Sequence, residues 1–436
     1  MNIALPSVME MVLMSLIGMC DTIMVGNVLG SRAIAAVGLV DQPRMLIMAI
    51  FFALNVGVTA VVARRKGEDR RDEANRSLRN AAVVTVLLAL ALTAVSLIGA
   101  RPLMRLAGAQ ADTIDDAETY FTILAWFLPV NALTMCICAA QRGVGNTRIT
   151  MYVNVASNLV NVLFNFLLIG GNFGFPRLEV AGAAIATAIG FCVGLLLSLF
   201  TIFDTRRHNG FLRLSRHDDW RLRKETLSPI VNVGGNAMLE QLALRVGFCL
   251  YARIVADLGT QAFAAHQICM RFLNLSFTFG DGLGVAGTSL VGEMMGRRRP
   301  DLSHIYGKVC QRLALVAALL LAGSIVLLRY PLVSMFTRES DVVALSARVM
   351  LLVAAFQPFQ TSAVVISGAL RGAGDTKFVA VVMAICVAVI RPALSVLAIF
   401  VIESHWGLPQ LALMGAWAAS LVDMVIRLIS VYARFN

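Results

Sequence analysis

The chain has 436 residues, of which 58% are hydrophobic and only 14% charged, and its mean hydropathy of +0.78 excludes an ordinary soluble globular domain. Its net charge of +11 is not the footprint of nucleic-acid binding, because the basic residues fall in particular loops between apolar segments rather than along one stripe. The class these numbers define is an all-α polytopic membrane protein.

The first apolar stretch, 3–26, would be about 36 Å long as a helix, enough to cross a bilayer. It is too long for a signal h-region and lacks a basic segment before it, so it reads as a permanent first span. It carries two carboxylates, Glu10 and Asp21. Each costs about 2.5–3.5 kcal/mol at the centre of a span, so each needs a partner or a task. Eleven residues separate them, three helical turns and roughly 20° more, which puts both on one face. Pro6, near the start, is placed to bend the first turns through its missing donor.

Hydropathy predicts eleven further spans, at 36–63, 80–100, 120–141, 149–170, 182–203, 229–256, 264–294, 309–328, 346–369, 378–402 and 411–432. The loops after spans 2, 4, 6, 8 and 10 hold 23 Arg and Lys residues; the opposite loops hold six. The positive-inside bias therefore predicts cytoplasmic termini. All eight cysteines lie in or beside apolar segments, which argues against a disulfide framework, and Cys136 and Cys138 diverge on a helix.

The chain also repeats. Leu29-Gly30-Ser31-Arg32-Ala33-Ile34-Ala35-Ala36 matches Leu258-Gly259-Thr260-Gln261-Ala262-Phe263-Ala264-Ala265, and Arg142-Gly143-Val144-Gly145-Asn146-Thr147 matches Arg371-Gly372-Ala373-Gly374-Asp375-Thr376, both at an offset of 229. Six spans per repeat preserve orientation, so two six-helix lobes related by a pseudo-two-fold along the membrane normal are expected. The lobes would be 1–203 and 229–436, joined by a basic linker, 204–228, in which Phe211, Leu212, Leu214 and Trp220 suit an amphipathic surface helix. Two such lobes with an alternately opening cavity are transporter architecture.

At this point motifs accumulate in order: Asp21-Thr22-Ile23-Met24-Val25-Gly26 closing the first span, the paired LGxxAxAA openings, Ala265-His266-Gln267, the paired RGxGxT loops, and Arg391-Pro392. Together, over essentially the whole chain, they resemble the multidrug and toxic compound extrusion (MATE) family. The resemblance implies export of cationic or amphiphilic organic compounds in exchange for H⁺ or Na⁺, with no cofactor, by a monomer in the plasma (inner) membrane. It also implies roles. Asp21, fifteen residues after the bending Pro6, matches the family's first-helix carboxylate. The family's N-x-x-x-D on the fifth helix is here Asn161 to Asn165, with the acid replaced, and Thr187 matches a nearby polar residue. Glu240 matches an acid found on the seventh helix, while its expected aspartate partner on the tenth falls at Gln360. Each lobe thus keeps one carboxylate of a pair.

Asn154, Asn158, Asn161 and Asn165 recur at intervals of 4, 3 and 4 and share a helical face. With Asp21 they make an oxygen-rich site for Na⁺, or leave Asp21 to carry a proton at a pKa raised by desolvation. Interhelical hydrogen bonding is the alternative use of such amides. Glu10 and Glu240 are near-equivalent at an offset of 230 and would attract a cationic substrate in the cavity with Asn158, Gln360 and Arg391, unless Arg245, Arg253, Arg271 or Arg391 neutralises them. A lipid-linked saccharide flippase is the competing transporter reading and would need a cationic cavity for pyrophosphate. A membrane-embedded enzyme would need a catalytic constellation, and HExxH, GxSxG and GxxxxGK[ST] are all absent.

Overall fold

The computed structural model describes residues 4–106, 113–203, 211–213, 220–336, 339–406 and 409–436, with side chains for all of these except 4, 5, 7, 8, 11, 12, 14–36, 42, 106, 260, 275, 276, 403–406, 409 and 410. Among the described residues every regular element is a helix, and the chain divides into two units, Met1–Gly235 and Asn236–Asn436.

The first unit contains α1 (Ala4–Gly67), α2 (Arg71–Ile98), α3 (Ala100–Leu106), α4 (Ile114–Trp126), α5 (Leu128–Gly143), α6 (Thr147–Gly170) and α7 (Glu179–Phe203). Helix α8 (Lys224–Ala256) begins in it. The second unit continues with α9 (Thr260–Gly296), α10 (Pro300–Ser334), α11 (Ser340–Ala373), α12 (Thr376–Ile385), a wide π turn over Cys386–Ile390, α13 (Arg391–Trp406) and α14 (Pro409–Phe435). Among the described residues the predicted spans are helical, with breaks at Gly99 and Phe127. Eight helical stretches among the described residues are long and apolar enough to cross a membrane, nine if α4 and α5 form one broken span.

Two differences from expectation have physical explanations. The segment 27–35 was expected as a loop, yet α1 is helical throughout its 64 residues. A straight helix of that length would measure about 96 Å. Glu10 nevertheless accepts a hydrogen bond from Arg142, and the Lys66 ammonium donates to the Val144 carbonyl at 2.7 Å. Both ends of α1 therefore reach the same turn, so its path reverses between them. The amphipathic linker helix is not observed: residues 211–213 and 220–223 are non-helical, and Leu214 lies outside the described residues. Its backbone is committed to α2 instead, with Arg213 N–H donating to Asn75 Oδ1 at 2.9 Å and Arg71 donating to the Phe211 carbonyl at 2.9 Å. Leu212 is buried beside Leu78 and Ile202, while Trp220 is exposed.

The break between α4 and α5, 51° across Phe127, follows from Pro129. A proline inside a helix removes the bond to the carbonyl four residues earlier, here Ala125. Thr93 of α2 supplies the missing donor, its hydroxyl lying 3.0 Å from the Ala125 carbonyl. An apolar span can bend this way because the freed carbonyl is still satisfied.

The sequence repeat recurs as repeated contacts. The Thr59 hydroxyl donates to the Ala139 carbonyl at 3.0 Å and the Thr288 hydroxyl to the Gly368 carbonyl at 2.8 Å, each position shifted by 229. Gly145 and Gly374 both turn left-handed, at φ 82° and 98°, and the amides of Asn146 and Asp375 close the same turn on Gln141 and Leu370. The other motif glycine is required by close approach: a Cβ at Gly143 would lie 2.8 Å from the Thr59 carbonyl oxygen, and one at Gly372 would collide with that of Thr288. Small residues at such crossings let membrane helices pack backbone to backbone.

These crossings predict Gly372→Ala to lower folding stability by about 1–3 kcal/mol, the usual penalty for overpacking. Gly323→Ala in α10, where a Cβ meets nothing within 4 Å, should be neutral or mildly stabilising. Thermal unfolding of both variants in detergent separates the two cases, and equal midpoints would contradict the close-approach account.

Candidate functional site

Glu10, only 2% exposed, accepts three hydrogen bonds in the first unit: from Arg142 Nη1 at 3.4 Å, Thr150 Oγ1 at 2.8 Å and Asn154 Nδ2 at 2.5 Å. Glu240, 3% exposed, is held by both Nε and Nη2 of Arg371, the former at 3.2 Å. Arg142 and Arg371 are the arginines of the two RGxGxT turns. Each unit thus ties its first long helix to the turn following its fourth expected span by one buried carboxylate–arginine pair. The neutralising arginines are not those anticipated: Arg253 pairs with Asp257, and Arg391 is engaged elsewhere. The signal that could have found them was the repeat itself, since the arginines recur at an offset of 229 and the acids at 230.

The pairs differ in their support. Glu10 keeps two neutral donors beside Arg142, whereas Glu240 depends on the fork of Arg371, the geometry that makes such pairs strong. A neighbouring link, Asn236 Nδ2 to Thr376 Oγ1 at 3.0 Å, joins α8 to α12.

The amide row of α6 lies on one face, as its spacing requires, and its members face different partners. Asn154 serves Glu10. Asn158 donates to the Asn154 carbonyl at 2.8 Å, and Asn161 donates to Thr187 Oγ1 of α7 at 3.1 Å. Asn165 Nδ2 lies 3.5 Å from Asn161 Oδ1, and both asparagines are buried. Asn161, Asn165 and Thr187 therefore converge as one oxygen-bearing cluster. The Asp21 side chain lies outside the described residues. Pro6 is buried two residues into the described helix, within the first turn, where a missing N–H breaks no intrahelical bond.

In the second unit no hydrogen bond joins Gln360 to Glu240, whose carboxylate is held by Arg371. Gln360 lies eleven residues before Arg371 on α11, about 16 Å along the helix, fully buried with neither amide atom hydrogen-bonded; Gln357, one turn earlier, is in the same state. Arg391, 2% exposed, follows the π turn and donates to Asp423 Oδ2 at 3.0 and 2.8 Å, while Arg427 donates to the same oxygen at 3.0 Å. The Arg391 guanidinium also lies 5.2 Å from the centre of the Phe248 ring. Asp423 and Arg427, four residues apart in an apolar helix, were visible as an intramembrane pair and escaped the sequence reading. So did Asp281, an isolated acid on α9. The seven described cysteines are free, and no cluster of three His, Cys, Asp or Glu suited to a metal ion occurs among the described residues.

A single family model, MatE, matches this chain twice, over residues 6–167 and 237–397. The chain belongs to the MatE family, and is a MATE-type integral membrane transporter, not an enzyme. It is 27% identical over 98% of its length to a probable multidrug resistance protein NorM of Thermotoga maritima, covering 89% of that protein. It is 26% identical over 99% of its length to the uncharacterized transporter YisQ of Bacillus subtilis, covering 92% of it. Among solved structures, an outward-facing multidrug resistance MATE transporter of the MOP superfamily superposes with a TM-score of 0.89 at 20% identity, the match covering 100% of this chain and 94% of that one, which establishes the shared fold.

Removing Arg371 should leave Glu240 buried and unpaired. Arg371→Met is expected to cost about 3–5 kcal/mol, and the double variant Glu240→Met/Arg371→Met to recover most of it. Arg142→Met should cost less, because Thr150 and Asn154 remain on Glu10. Unfolding midpoints in detergent check the order, and a double variant no more stable than the single would contradict the pairing.

Proposed function

We propose that this transporter is an efflux antiporter that exports cationic or amphiphilic organic compounds in exchange for H⁺ or Na⁺ by alternating access. In this reading two six-helix lobes, 1–203 and 229–436, are joined by the basic linker 204–228, with both termini cytoplasmic and the monomer in the plasma (inner) membrane. The observation that carries it is the duplicated carboxylate–arginine frame, which gives each half the same rigid unit around a polar interior, together with family membership. The names of the relatives, which include multidrug resistance proteins, support the same substrate class.

Coupling is assigned to the first unit, at Asp21 with Asn161, Asn165 and Thr187. The observed cluster of amide and hydroxyl oxygens suits a Na⁺ shared with the Asp21 carboxylate; the same cluster would stabilise Asp21 when protonated. Either event cancels one intramembrane charge and shifts the balance between two packings of the first helix. Glu240 completes the assignment in the second unit, with Glu10 and Asn158 in the polar interior of the first unit and Gln360 and Arg391 in that of the second. The flippase alternative needs arginines available to pyrophosphate; Arg142, Arg371, Arg391 and Arg427 are engaged by carboxylates, and the exposed Arg271 shares its helix face with Asp281, whose charge opposes an anion.

Vesicles loaded with a fluorescent organic cation and given separate pH and Na⁺ gradients test this. Transport should respond to at least one gradient, and Asp21→Asn should lose that response. Transport indifferent to both gradients would end the antiporter reading, and an Asp21→Asn variant coupled like the wild type would end the site assignment alone.

A further inference from the structure

A polar row runs along α9, a helix otherwise built largely of apolar residues and glycine. It comprises Gln267, Arg271, Asn274, Thr278 and Asp281, at spacings of 4, 3, 4 and 3, which places all five on one face. Gln267, Arg271, Asn274 and Asp281 are exposed and Thr278 half-buried, while Ala265, Cys269, Leu273, Gly280 and Leu283 on other faces are buried. Exposure of such a row to hydrocarbon would cost several kcal/mol, so its surroundings in the membrane are aqueous.

The repeat shows that exposure and polarity have separate origins. Shifting by 229 places Asn274 on Met45 and Asp281 on Phe52, and these are exposed to 40% and 47%. The scaffold leaves these two positions open in both units, and the second unit places Asn274 and Asp281 where the first has Met45 and Phe52. Asp281 has no ion-pair partner among the described residues. It lies within electrostatic range of both members of the Arg371–Glu240 pair. A lone exposed carboxylate is a poor cage for a bare inorganic cation, which needs several oxygen ligands, but it suits an organic cation with diffuse charge.

We infer that the α9 row is the wall of the substrate path in the second unit and that Asp281 is the counter-ion for the charged group of an organic cation. The inference rests on the efflux reading above and adds a residue to it. Arg271, ten residues and about 15 Å from Asp281, gives the same wall a cationic far end, so a cation has one preferred position along it.

The test is equilibrium binding of tetraphenylphosphonium to the full chain in nanodiscs, beside the neutral triphenylphosphine oxide. Asp281→Asn should weaken tetraphenylphosphonium about tenfold, the scale of one charge-assisted contact, and Asp281→Glu should stay within about threefold of wild type. Neither variant should change affinity for the neutral compound or the unfolding midpoint. Asp281→Asn binding the cation like wild type, or losing cation and neutral probe equally, overturns the assignment of Asp281 alone. Wild-type protein that neither binds nor transports any organic cation overturns the efflux reading and this inference together.

Discussion

The constraint on which the structure depends is the price of charge in hydrocarbon. A carboxylate inside a bilayer must meet a donor within its own bundle or open onto water. Glu10 and Glu240 take the first course through the arginines of the RGxGxT turns, and Asp423 does so by accepting from two arginines. Because each partner lies more than 130 residues away for the two glutamates, meeting this constraint also fixes which helices are neighbours. The ion pairs are therefore part of the topology. Their net contribution to stability is small compared with the damage done by leaving one member alone.

Close packing supplies the second half of the frame. The motif glycines after Arg142 and Arg371 bring backbones together, and the hydroxyls of Thr59 and Thr288 bond across the crossing to a carbonyl of the partner helix. Ion pair, glycine contact and threonine bond occupy the same few turns in each unit. A rigid corner built twice is suited to moving as a body, while the softer devices are local: the Pro129 break repaired by Thr93, and the π turn immediately before Arg391. Upon this near-symmetric frame the polar surfaces are distributed unequally. The amide cluster of Asn161, Asn165 and Thr187 belongs to the first unit, and the exposed row ending at Asp281 to the second.

Much of this was legible in the residues. Long apolar stretches dictate helices because only a helix satisfies its own backbone in lipid, and among the described residues the predicted stretches are helical apart from breaks at Gly99 and Phe127. The repeat was legible because two loop motifs shared one offset, and the contacts at Thr59 and Thr288 carry the same 229. The reversal within α1 is a different matter: residues 27–35 read as a loop, and the reach of Glu10 and Lys66 to one turn shows that the chain doubles back. Linker residues 211–213 looked amphipathic, but an amphipathic pattern cannot show that Asn75 and Arg71 already hold the backbone in another form.

Sequence alone determined the membrane class, the helical spans, the duplication and the list of intramembrane polar residues, since hydropathy and periodicity are local and survive in one dimension. Partnership was decided by tertiary structure. Arg142 and Arg371 read as loop charges of the positive-inside kind until folding brought them to Glu10 and Glu240. Pairing depends on which faces meet across a hundred or more residues, and no spacing along the chain encodes that distance.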